Sequence, residues 1–271
     1  DDINNQIKIS ATPAEAGSRS VELIVEIPQT DVKVKLTIIQ SKYYKVGDLY
    51  VVNGEPLGLV YEISDGGAHG KVVALKAHRD LNLWYRTGLP YDEIHPEDPN
   101  NVGVIARSET DGQENMKAYK QISDWKTHYP VAAYVSDLND ENGNPGWYLP
   151  AIKEVQAMVG WIDGEVLSPD GEAGQEPSEA MKEKRKAINQ LIVDNGGNEF
   201  YFYGYDVSFI IDQTNAWEVD YFNRIYTSTE TDYQVHPMVF KFYLRNGWWE
   251  TMHVYGDLPG SYGEVRPFLA F

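Results

Sequence analysis

Two stretches near the start of the chain alternate apolar and polar residues with a period of two. Val21, Leu23, Val25 and Ile27 interleave with Glu22 and Glu26. After Pro28-Gln29-Thr30-Asp31, the set Val32, Val34, Leu36 and Ile38 interleaves with Lys33 and Lys35. Successive side chains of a strand point to opposite faces, so this pattern predicts an antiparallel hairpin with one apolar face, turning at Pro28–Asp31. A lone hairpin is marginal in water, so that face is expected to pack on something. Three short strands are predicted next, over 47–52, 57–63 and 71–75. The turn signals Asn53-Gly54-Glu55-Pro56 and Asp65-Gly66-Gly67-Ala68-His69-Gly70 separate them.

The period then lengthens. Met116, Tyr119, Ile122 and Trp125 recur at helical spacing, predicting a helix that runs up to Pro130. A second helix is predicted from Ile152, Val155, Met158 or Val159, and Ile162. It follows a junction in which Trp147, Tyr148 and Leu149 read as a strand and Pro150 as the first helical turn, where its missing N–H would have no partner anyway. Met181, Ile188, Leu191 and Ile192 mark a third helix, capped by Ser178 and ended by Gly196-Gly197. Residues 86–112 and the polar stretch Asp137–Gly146 read as irregular loops, and 163–177 as a Gly/Pro/acid-rich insertion. Strand-like runs follow at 200–211, 225–230, 236–245, 247–254 and 264–271. Strands, then helices, then strands predict an α+β fold with short antiparallel sheets, two or three helices and long loops.

Charge narrows the partners. With 23 basic and 41 acidic residues among 271, the formal charge is −18, which repels a phosphate backbone or an anionic membrane surface. There is no cysteine, so disulfides, thiolate metal sites and a cysteine nucleophile are absent. No apolar run is long enough to cross a bilayer. The chain opens at Asp1-Asp2 without a signal-like segment, as a cytosolic protein or the trimmed form of an exported one would.

Candidate chemistry is sparse. Asp137, Asn139, Asp140, Glu141, Asn142 and Asn144 could offer oxygens to a hard cation. The EF-hand spacing fails, since counting from Asp137 puts Asn142 at the glycine position and Tyr148 at the terminal acid. Asp137, Asn139 and Asp140 remain weak metal candidates, and no metal or cofactor is predicted. His69, His78, His95, His128, His236 and His253 show no zinc-site spacing. The carboxylate pairs Glu62/Asp65, Glu218/Asp220 and Glu230/Asp232 are the local options for glycoside cleavage, which needs two carboxyls set across a cleft. No nucleophile elbow, P-loop or dinucleotide fingerprint occurs. No catalytic residue is therefore assigned and the chain is read as a non-enzyme. Trp217, Tyr221, Trp248, Trp249 and Tyr255 are instead the candidate ligand-binding residues, because flat aromatic faces stack on sugars or anchor protein interfaces.

The junction Gly146-Trp147-Tyr148-Leu149-Pro150-Ala151-Ile152-Lys153-Glu154-Val155 resembles the Trp-Arg-Leu-Pro-Thr-x-x-Glu-Leu signature of bacterial domains with a C-type-lectin-like fold, the group of the major paralogous domain and the Lcl C-terminal-like domains. Ile225-Tyr226-Thr227-Ser228-Thr229-Glu230 is similar to that family's Tyr-Trp-Ser-Ser-Thr-Glu strand. Val239-Phe240-Lys241-Phe242 and Val265-Arg266-Pro267-Phe268-Leu269-Ala270-Phe271 are similar to its closing strands. His69–Leu75 and Asp111-Gly112-x-x-Asn115 match its usual order. The resemblance covers 43–271 and is interrupted by an insertion with a helix at 163–200. Residues 1–41, ending Leu36-Thr37-Ile38-Ile39-Gln40, resemble part of a BACON-type immunoglobulin-like module.

The resemblance implies a C-type-lectin-like domain exported to a bacterial cell surface as an adhesin of lipoprotein type, anchored in the outer membrane before trimming. It implies a host or bacterial surface protein or glycan as partner, bound through the aromatic face. The calcium motifs of sugar-binding C-type lectins are replaced by Asn144-Pro145-Gly146, which lacks both flanking ligands. The alternatives are a structural or assembly component, in which the hairpin pairs with another chain, and a glycoside hydrolase.

Overall fold

A computed structural model describes residues 18–26, 33–41, 43–79, 105–142, 146–163, 178–200, 224–230, 237–242, 249–253 and 264–271. In chain order its strands are β1 Ser18–Glu26, β2 Lys33–Ser41, β3 Leu49–Val52, β4 Glu55–Ser64, β5 His69–Ala74, β6 Arg224–Glu230, β7 Pro237–Phe242, β8 Trp249–His253 and β9 Phe268–Ala270. Between β5 and β6 lie the helices α1 Gly112–Tyr119, α2 Trp125–His128, α3 Pro130–Asn142, α4 Ile152–Asp163 and α5 Glu179–Asp194. The described residues are thus α+β, with three antiparallel sheets ordered β1-β2, β3-β4-β5-β9 and β6-β7-β8.

The hairpin has the register that its alternation predicts. Val21 lies opposite Ile38, Leu23 opposite Leu36 and Val25 opposite Val34, which gathers these six on one face. Glu22 and Lys35 pair at 2.6 Å on the other. The turn at Pro28–Asp31 lies outside the described residues. Packing over the whole of that face is not found among the described residues, where Val21, Val34 and Leu36 remain 50%, 45% and 43% exposed.

The second sheet carries the core. Asn53 and Gly54 both take positive φ, 53° and 85°, the geometry of a two-residue hairpin turn whose twist matches its strands. Glu55 and Pro56, read from the sequence as turn residues, already belong to β4. Val60, Val72, Val73, Phe268 and Leu269 share one buried core with Ile152, Val155, Met158 and Val159 of α4, which packs on β4, β6, β7 and α5. The Trp147–Leu149 strand reduces to a single bridge from Tyr148 to Phe268.

The helices depart most from expectation, numbering five among the described residues. The helix expected from Met116 to Pro130 breaks after Tyr119, and Asp124 takes left-handed φ and ψ of 55° and 29° before the four-residue α2. Pro130 opens α3 rather than closing its predecessor, since proline costs nothing at a first helical position. The stretch predicted as a loop from Asp137 is helical through Asn142, because Val131, Ala132 and Val135 bury a stripe that carries the helix on. Helix α4 starts at Ile152, two residues past Pro150. Helix α5 begins as predicted, with Ser178 Oγ accepting the Met181 N–H at 3.3 Å, and it ends before Gly196 at φ +74°.

Candidate functional site

The residues that carry the family resemblance meet in one buried network. Glu154, 3% exposed, stands at the third position of α4. Its Oε2 accepts the Ala151 N–H at 2.8 Å and the Gly112 N–H at 3.0 Å. Its Oε1 accepts the Tyr148 hydroxyl at 2.8 Å and lies 3.0 Å from Lys71 Nζ. The bond to Ala151 is half of a capping box, which closes the helix start locally. The bond to Gly112 joins that start to the start of α1. Gly112 permits the approach, since a Cβ there would lie 2.3 Å from Leu149 O.

Strand β6 contributes the next joints. Ser228 N–H donates to Pro150 O at 2.7 Å, Asn115 Nδ2 donates to Ser228 Oγ at 3.0 Å, and the Tyr119 hydroxyl donates to Ser228 O at 2.6 Å. Thr229 Oγ1 accepts the Ile152 N–H at 3.0 Å and donates to Ser108 O at 2.9 Å. Glu230 Oε2 accepts the N–H groups of Ile105 and Ala106 at 2.9 and 3.2 Å. The first turn of α4 is therefore capped both by its own Glu154 and by a strand remote in sequence.

A second buried set locks the closing segment. Arg266, 0% exposed, donates to the carbonyls of Ala74 and Leu75 at 3.1 Å and of Asn198 at 2.8 Å, and its guanidinium lies 4.0 Å from the Phe200 ring centre. Its Nε reaches Glu264, which also pairs with Arg79 at 2.7 Å. A planar fork with five donors suits such a junction of carbonyls and carboxylate.

Many of these groups bond one another within the scaffold. Glu154 meets four donors, and Glu230 takes two backbone amides through its Oε2. Burial holds the Tyr61 and Tyr148 phenols well above their ordinary range, with the negative charge of Glu154 adding to the effect for Tyr148. Both stay neutral near pH 7. Among the described residues no group of three or more His, Asp or Glu is placed to hold a metal.

The residues singled out from the sequence fall apart in the structure. Asp137 and Asn139 sit on α3 and not on a loop. Asp137 pairs with Lys126 at 2.5 Å. Asn139 clamps Trp147, donating to its carbonyl at 2.9 Å and accepting its N–H at 2.6 Å. Asn189 holds Phe200 in the same two-bond way, at 2.8 Å each. Asp140 is also on α3. His69 lies at the start of β5, 4.0 Å from Asp65, and His78 stacks on Tyr134 with ring centres 4.2 Å apart. Trp249 opens β8 opposite Phe242, and His253 closes that strand opposite Met238. Trp217, Tyr221, Trp248, Tyr255, His95 and His236 lie outside the described residues.

Sequence reasoning missed Glu264, and it missed Lys71 and Arg79 as the partly buried partners of Glu154 and Glu264. A local signal existed only for Glu154, three residues after the helix cap. Searches of family models, curated proteins and solved structures found no match to this chain.

Proposed function

We infer that the chain is a non-catalytic recognition or adhesion module displayed outside a bacterial cell, with a C-type-lectin-like domain over 43–271. It would bind a surface protein or glycan through the aromatic residues Trp217, Tyr221, Trp248, Trp249 and Tyr255. One observation carries the reading. The side chains of both signature motifs, from Tyr148 and Glu154 to Ser228, Thr229 and Glu230, serve as internal joints of the scaffold. A scaffold whose polar core is spent on itself does its work with what it carries on its connecting segments. Of these residues Trp249 is described, opening β8 opposite Phe242 of β7.

The test is a screen of glycans and host proteins, with calcium and with chelator, repeated on Trp217→Ala and Trp248→Ala. A specific ligand lost in either folded variant is the expected result. Binding that survives both substitutions would overturn the reading.

A second reading, a structural or assembly component, is favoured by the hairpin. Val21, Val34 and Leu36 of its apolar face are exposed, and β2 pairs only with β1 among the described residues. Exposed strand edges recruit further strands. Under this reading sedimentation velocity gives association that rises with concentration and is abolished by Leu36→Asp. A monomer at all concentrations would exclude self-assembly through this face.

A further inference from the structure

The chain holds four Asn-Gly pairs, beginning at Asn53, Asn142, Asn195 and Asn246. Such a pair is chemically labile, because glycine lacks the Cβ that would shield its main-chain nitrogen from the asparagine side chain. Whether it reacts depends on how the fold holds that nitrogen and that amide. Both residues are described for Asn53-Gly54 and for Asn195-Gly196, and the fold treats these two pairs oppositely.

At Asn195 both reacting groups are engaged. Asn195 Nδ2 donates to Leu191 O at 2.8 Å, and the Gly196 N–H donates to Val193 O at 2.9 Å. The Asn195 N–H is itself tied to Ile192 O at 3.2 Å where α5 ends, and the residue is half-buried. Asn53 and Gly54 stand exposed at the tip of the β3–β4 hairpin. Neither the Asn53 side chain nor the Gly54 N–H forms a hydrogen bond among the described residues. A Cβ built on Gly54 would meet no atom within 4 Å, so the approach to its nitrogen is open.

The turn opposes the reaction to a degree. Asn53 lies at φ 53°, and the turn must open before the Gly54 nitrogen reaches its Cγ. That opening disturbs only the end of a hairpin, at the Val52–Glu55 rung, and such ends open locally at low free energy. Asn195 must instead give up its side-chain bond and the Gly196 bond, and unwind the end of a sixteen-residue helix. The hairpin tip is the smaller disruption.

We propose that Asn53 is a site of deamidation in the folded chain. The Gly54 main-chain nitrogen, having lost its proton to hydroxide, attacks Asn53 Cγ. A C–N bond forms and closes a succinimide ring. The Cγ–Nδ2 bond breaks, and the nitrogen takes a proton from water and leaves as ammonia. Water then opens the ring at either carbonyl, giving aspartate or isoaspartate, with no change of oxidation state. Opening at the main-chain carbonyl routes the backbone through the side chain. It thereby adds a methylene to a two-residue turn whose length sets the β3–β4 register. The site uses none of the aromatics of the proposed recognition face, so each can fail without the other.

The experiment incubates the full chain in mildly alkaline buffer, folded and in parallel unfolded in urea. Tryptic peptides are then mapped by mass spectrometry with separation of aspartate from isoaspartate. Asn53 is the only amide side chain in the tryptic peptide 46–71, so conversion there is unambiguous. At each site the folded rate is divided by the rate in urea, which cancels the effect of neighbouring residues. The expected ratio at Asn53 exceeds that at Asn195 by about tenfold, because two hydrogen bonds must open at Asn195 first. Asn53→Gly, which accepts the positive φ, should remove the corresponding acidic species on ion exchange. Equal ratios at the two sites, a larger ratio at Asn195, or no conversion of Asn53 in the folded chain would each overturn the proposal.

Discussion

Glu154 illustrates how one side chain joins three segments. Its carboxylate is 3% exposed and receives Ala151, Gly112, Tyr148 and Lys71. Removing it leaves a partly buried ammonium and two backbone amides without their acceptor. Breaking a buried pair from one side costs about 3–5 kcal/mol. Glu154→Ala should therefore lower unfolding free energy by about 3 kcal/mol or more in urea titration, while a loss below about 1 kcal/mol would show that water replaces the carboxylate. Only the bond to Ala151 was legible in the sequence, as an acid three residues past a helix cap. Gly112 lies 42 residues away, a separation at which spacing carries no information.

At the level of elements, α4 depends on a strand it does not touch in sequence. Thr229 Oγ1 takes the Ile152 N–H and gives its proton to Ser108 O. Thr229→Val keeps the shape and strips both bonds, so it should cost about 2 kcal/mol, since each orphaned buried group is penalised. Ser178→Ala removes the exposed cap of α5 and should cost about 1 kcal/mol. Parallel urea denaturations with unchanged slope give the comparison, and equal losses would mean that the Thr229 site is hydrated. The α5 cap was legible because capping is local. The break in the first predicted helix was not, because the spacing of Met116, Tyr119, Ile122 and Trp125 is that of an unbroken helix. The helical stretch at 137–142 was misread for a related reason. Its composition favours a turn, but the buried stripe of Val131, Ala132 and Val135 holds it in register.

For the molecule as a whole, the buried phenols set an alkaline limit. Tyr61 and Tyr148 have folded-state pKa values raised above the ordinary 10.0 by burial, as does Tyr50 to a smaller degree. The folded chain keeps these protons after the unfolded chain has lost them. Stability is then full below about pH 10 and falls as pH rises above it. Unfolding monitored by circular dichroism should coincide with a step in tyrosinate absorbance, and a smooth titration of every tyrosine before unfolding would contradict the burial. The sequence by itself determined the α+β composition, the hairpin register, the turn at Asn53-Gly54, the α5 boundaries and the net charge of −18. Each of these rests on neighbours within a few residues or on a sum over the chain. The tertiary structure alone decided that Val21, Val34 and Leu36 of the hairpin stay exposed, that Asn139 clamps a backbone and that Asp124 breaks the first predicted helix. It also decided that Glu154, Ser228, Thr229 and Arg266 are joints of the scaffold. Those outcomes depend on which distant backbone groups fall within hydrogen-bonding distance, and only the packed chain brings them there.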